Sequence, residues 1–162
     1  MTRYGMAIDL KRCFGCHACE VACKVANNLP ADLAYNRVMT VGGDSFDTAA
    51  GEFPNCTLSF LPMQCQHCET PACFAVCPTG ATQKDEKTGI VTVDGETCIG
   101  CGSCIQACPY QGVRTLIGDD PDYYLDVVVG EADAPAHKPS TVEKCTFCKN
   151  LVDRGEEPAC MQ

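Results

Sequence analysis

The 162-residue chain contains no tryptophan, and its 12 lysines and arginines stand against 21 aspartates and glutamates, for a net charge of −9. So large an excess of acid excludes a general DNA- or RNA-binding module, which needs a clustered positive face for the phosphate backbone. Long apolar runs are missing as well. None approaches the ~18 residues of a membrane-spanning helix, so no membrane span of the chain's own is expected. Near the N-terminus, Gly5-Met6-Ala7-Ile8-Asp9 runs into Lys11-Arg12 and leaves no stretch long enough for the apolar segment of a secretion signal. The residue in excess is cysteine, with 16 copies. Cysteines supply much of the 46% hydrophobic content, so something besides apolar burial must hold this fold. Without a secretion signal, they read as metal ligands rather than disulfides.

The cysteines fall into four groups whose spacings nearly repeat. Cys13, Cys16, Cys19 and Cys23 are separated by two, two and three residues. Cys65, Cys68, Cys73 and Cys77 are separated by two, four and three, and Pro78 follows. Cys98, Cys101, Cys104 and Cys108 return to two, two and three, followed by Pro109. Cys145 and Cys148 are followed by Cys160 after eleven residues. Only Cys56 stands outside the pattern.

Three thiolates two residues apart let one tight loop wrap three corners of an iron-sulfur cube. The next cysteine enters a helix, points away, and ligates the other cluster of a two-cluster ferredoxin. Cys98 to Pro109 matches that run in full. Between the second and third groups, Ala81-Thr82-Gln83-Lys84 and Ile90-Val91-Thr92-Val93-Asp94 flank a polar turn and read as a short hairpin. Residues 65–108 are therefore a self-contained bacterial-ferredoxin-like unit. Crossed ligation assigns Cys65, Cys68, Cys73 and Cys108 to one cluster, and Cys98, Cys101, Cys104 and Cys77 to another. The two ends of the chain suggest a second such unit, with Cys145, Cys148, Cys160 and Cys23 around a third cluster and Cys13, Cys16 and Cys19 around a fourth. The fourth lacks a visible final ligand. A longer natural chain, a three-iron cluster, and rescue by Cys56 are the three readings, in that order. Cys56 otherwise reads as a small buried or partly buried thiol without a cofactor role.

Competing signals weigh less. Cys13-Phe14-Gly15-Cys16-His17 fits a haem-attachment pattern but strands Cys19 and Cys23, so His17 reads as a helix-start residue. His67 is a conceivable zinc ligand, yet zinc sites rarely use two-two-three runs. Disulfides suit the crowded spacing worse still. Residues 118–140 carry no cysteine and read as an excursion or linker with a solvated acidic face. Val38 to Val41 and Thr57 to Leu61 read as short strands, and Tyr110 as an apolar cover over a cluster.

These residues resemble the four-cluster, ferredoxin-like iron-sulfur subunits of molybdopterin oxidoreductases, most closely that of dimethyl sulfoxide reductase. The resemblance is carried by Tyr4-Gly5 to Ile8-Asp9, Arg12 to Lys24, Cys65-Gln66-His67-Cys68-Glu69-Thr70-Pro71-Ala72-Cys73, Cys98 to Tyr110, Lys144-Cys145-Thr146-Phe147-Cys148 and Pro158-Ala159-Cys160. In that family the last group ends in one more cysteine and proline before a further segment, so this chain reads as C-terminally truncated. The implied fold is α+β: tandem, nested bacterial-ferredoxin-like modules with short strands, short helices and long cluster-binding loops. The expected division is an inner module at 61–117, an outer one from 1–60 plus 141–162, and the excursion at 118–140. The implied cofactors are four 4Fe-4S clusters in the full-length protein, the one at Cys13, Cys16 and Cys19 incomplete or 3Fe-4S as given. The implied partners are a molybdopterin catalytic subunit and a quinol-oxidising membrane anchor. The complex is expected at a membrane, on the extracytoplasmic face by co-export with a partner, with a cytoplasmic location as the alternative. The chain itself carries electrons and catalyses no bond chemistry. Arg12, Lys24, Lys144 and Lys149 are candidates for raising cluster potentials, weighed against ordinary solvated charge. A free-standing polycluster ferredoxin is the alternative function, and a cysteine-rich zinc-binding interaction module the third.

Overall fold

The computed structural model describes residues 3–43 and 47–162. Its secondary structure comes in short pieces because ligand loops interrupt the chain so often. Helix α1 (Ala18–Ala26) is the longest. Strands β1 (Asn36–Val41) and β2 (Ser59–Gln64) pair antiparallel, with Asn36 opposite Gln64 and Val38 opposite Pro62. The single-turn helix α2 (Ala72–Ala75) leads to the hairpin of β3 (Thr82–Lys84) and β4 (Val91–Val93). Another turn, α3 (Ser103–Gln106), is followed by β5 (Arg114–Leu116), whose antiparallel partner is β6 (Val142–Lys144). Helix α4 (Lys149–Asp153) and a 3-10 turn at Ala159–Met161 complete the described elements.

The hairpin lies where alternation and β-branching place it. Strand β2 begins two residues later than the expected Thr57 and runs through Pro62. A two-stranded sheet has two free edges, so a proline lacking its N–H donor is tolerated there. Residues 118–140 contain no helix or strand, but they are tied down. Ala31 N–H donates to the Asp122 carbonyl at 2.7 Å, and Glu131 N–H to the Ala26 carbonyl at 3.0 Å. Gly130 approaches so closely that a Cβ there would meet the Val25 carbonyl at 2.0 Å. The acid in this stretch is partly paired: Arg154 binds Glu131 at 2.8 Å and also Asp133.

The core is divided. One cluster joins Cys23, Leu29, Leu33, Tyr35 and Ile117; a second joins Cys73, Cys104 and Val142; a third joins Cys148, Leu151 and Ala159. Each contains cysteine beside a few apolar side chains. Such small cores leave much of the folding free energy to come from elsewhere.

Candidate metal centres

A backbone feature repeats at all four cysteine groups. The residue immediately before the second cysteine is left-handed in each: Gly15 at φ 75°, His67 at 42°, Gly100 at 65° and Phe147 at 59°. This turn reverses the chain between the first two cysteines of each group. Glycine adopts it without cost, whereas histidine and phenylalanine do so at a cost of about 1 kcal/mol or more. In Gly100 the requirement is doubled, since a Cβ would lie 2.2 Å from the Ser140 carbonyl. A further left-handed residue follows the second cysteine at His17 and Gly102, each the N-cap of its helix. His17 thus starts α1, and its Nδ1 lies 3.0 Å from the Glu20 carboxylate.

These loops gather cysteines from distant parts of the chain. Cys77, Cys98, Cys101 and Cys104 line one cavity, closed on its apolar side by Ala81, Val93 and Val142. Burial pushes the Cys68 thiol up, and the neighbouring Cys65, Cys73 and Cys108 add to the shift. Burial also raises the Cys23 thiol strongly, with Cys145, Cys148, Cys160 and Cys19 around it. Cys145 is pushed to about 12 and Cys160 to about 11 by burial, with Cys148 adding to each. Cys13 and Cys19 line a separate cavity of about 320 Å³ together with Arg12, Gln64 and Cys160. Cys16 is exposed and does not line it.

The donor set fits iron-sulfur clusters. All 16 thiols are free. Backbone N–H groups aim at the sulfurs: Thr82 to Cys77 at 3.5 Å, Val142 to Cys98 at 3.5 Å, and Phe147 to Cys145 at 3.3 Å. Such donors stabilise thiolate, and Thr82 and Thr79 bring Cys77 down to about 7 although burial opposes it. Nε2 of His67 and Nη1 of Arg114 are buried and have no partner. Nδ1 of His67 accepts the Val91 N–H at 2.9 Å, so Nε2 carries the ring hydrogen. Orphaned donors beside cysteine loops suit a sulfur acceptor. Among the described residues, no three His, Cys, Asp or Glu side chains are grouped to hold a single metal ion. A zinc ion, with Zn–S of ~2.3 Å, needs sulfurs within about 4 Å of one another. A cube of iron and sulfide sets its four thiolates farther apart.

The cations divide. Arg12 borders the Cys13 and Cys19 cavity. Lys144 is buried, and its Nζ donates to the Val91 carbonyl and, at 2.8 Å, to that of Cys145. Lys24 turns to the Ala31 carbonyl at 2.7 Å and the Tyr124 ring, and Lys149 pairs with Asp153 at 2.6 Å on the surface. Motif and spacing give no reason to single out Arg114, which is 4% exposed and donates to Cys73 Sγ at 2.9 Å. Its only sequence signal is an arginine set within Val113-Arg114-Thr115-Leu116-Ile117.

Cys56 corrects its expectation. It is exposed, because residues 51–59 all lie on the surface and offer no apolar neighbours to bury it. Tyr110 is 38% exposed, and its backbone carbonyl is what reaches a thiol, 3.4 Å from Cys108 Sγ.

Comparison with known proteins gives matches along most of the chain. Residues 56–117 and 90–162 each match a 4Fe-4S dicluster domain family, and residues 10–26 a 4Fe-4S binding domain. The chain is 35% identical to one of the chains of the anaerobic dimethyl sulfoxide reductase of Escherichia coli K12, covering 99% of this chain and 69% of that one. It is 39% identical to the thiosulfate reductase electron transfer subunit of Salmonella typhi, covering 98% and 70%. A Halobacterium salinarum protein assigned as a dimethyl sulfoxide reductase iron-sulfur subunit is 41% identical over 99% of this chain, which spans 62% of that relative's length.

Proposed function

The chain belongs to the ferredoxin-like iron-sulfur subunits of molybdopterin reductases, and from that premise we propose that it relays electrons between a quinol-oxidising membrane anchor and a molybdopterin catalytic subunit. The dimethyl sulfoxide reductase type is the reading for the complex. The observation that carries the proposal is the gathering of cysteines from separate groups around shared openings, Cys77 with Cys98, Cys101 and Cys104 above all. Bound there, a 4Fe-4S cluster takes up and gives back one electron at a time without changing any substrate bond.

The protein's own residues supply position and electrostatics. Cys65, Cys68, Cys73 and Cys108 form one ligand set; Cys98, Cys101, Cys104 and Cys77 a second; Cys145, Cys148, Cys160 and Cys23 a third. Cys13, Cys16 and Cys19 serve the fourth. The N–H groups of Thr82, Val142 and Phe147 donate to their sulfurs and offset part of the negative charge that thiolate ligands bring. The architecture is read as two nested α+β modules, 61–117 inside and 1–60 with 141–162 outside, the 118–140 excursion lying against α1 and β6. Among the described residues no helix is long and apolar enough to cross a membrane; in this reading attachment to the membrane runs through the anchor subunit.

Anaerobic purification from the native host tests this. The expected result is a preparation that carries iron and acid-labile sulfide at four irons per cube, about sixteen for four, and that co-purifies from membranes with a large molybdopterin subunit. Zinc with little sulfide would overturn the cluster assignment. A stable, cluster-loaded monomer would overturn the relay between partners.

A further inference from the structure

Arg114 and Lys144 stand directly opposite each other in the β5–β6 ladder. They are 4% and 3% exposed, and among the described residues neither pairs with a carboxylate. Like charges facing across a strand pair repel, and burying either without a counter-charge costs several kcal/mol. Two such charges side by side are tolerated only where negative charge lies close by. Around them lie cysteines of different ligand sets. Arg114 donates to Cys73 Sγ at 2.9 Å, and Cys104 packs against that cysteine, near enough for the guanidinium to lower its pKa against burial. Burial lowers the Lys144 pKa, and Cys65, Cys145 and Cys73 counter that shift, while its Nζ donates to the Cys145 carbonyl at 2.8 Å. The first cation therefore lies close to the Cys65 and Cys98 sets, whose Cys73 and Cys104 pack together, and the second, opposite it on the ladder, close to the Cys65 and Cys145 sets. The Cys65 set is near both.

We propose that Arg114 and Lys144 are fixed counter-charges at two successive junctions of the electron path, each raising the reduction potential of the two cages it lies close to. The proposal rests on the ligand sets holding clusters. Reduction adds one electron, and so one negative charge, to a cage already carrying four thiolates. A buried cation beside it favours that reduced state, strongly because little water screens the pair. A cation shared by two cages acts on both, so an electron leaving one for the other stays beside the same positive charge throughout. The β5–β6 pairing provides this arrangement: β5 leaves the inner unit and β6 enters the outer one, and the ladder fixes the two cations in register.

The test is a redox titration of the cluster-loaded protein in its purified complex, each cluster followed by electron paramagnetic resonance. Arg114→Gln should shift the oxidised-to-reduced ratio of the Cys65 and Cys98 clusters about tenfold at fixed solution potential, some 59 mV downward for a one-electron centre. Lys144→Met should move the Cys65 and Cys145 clusters in the same direction. The Cys65 cluster should be the one that both variants move. Arg114→Lys and Lys144→Arg keep the charge and should restore most of each shift. If a neutral variant loses a cluster, its charged counterpart should retain it. Unchanged potentials with all clusters present would overturn the proposal, as would charged replacements that behave like the neutral ones. Iron and sulfide analysis of the unmutated complex separates the two levels: absent clusters there defeat the function proposed above, whereas clusters present with unmoved potentials defeat this inference alone.

Discussion

His137 and Glu143 form a buried ion pair, with imidazole Nδ1 2.7 Å from carboxylate Oε2 and side chains 3% and 13% exposed. The other ring nitrogen lies 2.7 Å from the Asn27 carbonyl, so both face acceptors and the ring is held as imidazolium. The Tyr35 hydroxyl donates to the same carboxylate oxygen at 2.5 Å. One residue of the excursion is thereby joined to β6, to the end of α1 and to the first core cluster.

That pair makes stability depend on pH. Burial opposes the charge, but Glu143 and the Asn27 carbonyl outweigh it, and the His137 pKa is raised above its ordinary 6.5. The folded chain holds the proton more tightly than the unfolded one. The stabilisation is therefore complete below pH 6.5 and is lost as pH rises through the folded pKa. Glu143→Gln should cost about 3 kcal/mol near pH 6, where the imidazolium loses its anion, and clearly less near pH 9. Anaerobic denaturant titrations at both pH values measure the difference, and equal losses would refute the linkage.

Two neighbouring glycines should respond differently to alanine. Gly100 has φ +65° and a Cβ there meets the Ser140 carbonyl, whereas Gly102 at φ +72° has nothing within 4 Å. Gly102→Ala meets backbone strain alone and should cost about 1 kcal/mol. Gly100→Ala adds a clash with backbone that cannot rotate away and should cost about 3 kcal/mol or more. Its iron content should fall as the Cys98 loop is displaced. Comparable stability and iron content in the two variants would count against this reading of the loop.

Crossed ligation predicts which cluster each mutation removes. Cys108→Ser should abolish or alter the resonance signal of the cluster held by Cys65, Cys68 and Cys73, leaving that of its sequence neighbours. Cys77→Ser should do the reverse. Signal loss confined to the Cys98 set in Cys108→Ser would refute the assignment.

Cys56 is exposed and has no place in the proposed ligand sets. Cys56→Ser should leave iron content unchanged and stability within about 0.5 kcal/mol. Loss of one cluster's iron in that variant would make Cys56 a ligand after all.

The four cysteine groups, the β3–β4 hairpin and the helical turns after the ligand loops were all legible in the sequence. Each is a property of consecutive residues: a two-residue gap limits how two thiols can be placed, and alternation around a polar turn favours a hairpin wherever it occurs. Local pattern could not extend to relations between groups. The left-handed turn is announced by glycine at positions 15 and 100, but at His67 and Phe147 the same turn is imposed by surrounding structure against the residue's own preference. Cys56 looked coverable until its whole neighbourhood folded onto the surface. Arg114 carried the same charge in the sequence as any surface arginine. Only the pairing of β5 with β6, strands separated by the excursion, set it beneath the surface opposite Lys144 and against a thiol 41 residues away. Spacing along the chain fixed which cysteines act together locally. Which cysteine groups lie together, and which charges lie beside them, was decided by long-range packing, because electrostatic interaction depends on distance through space and on burial, and neither is written in the order of residues.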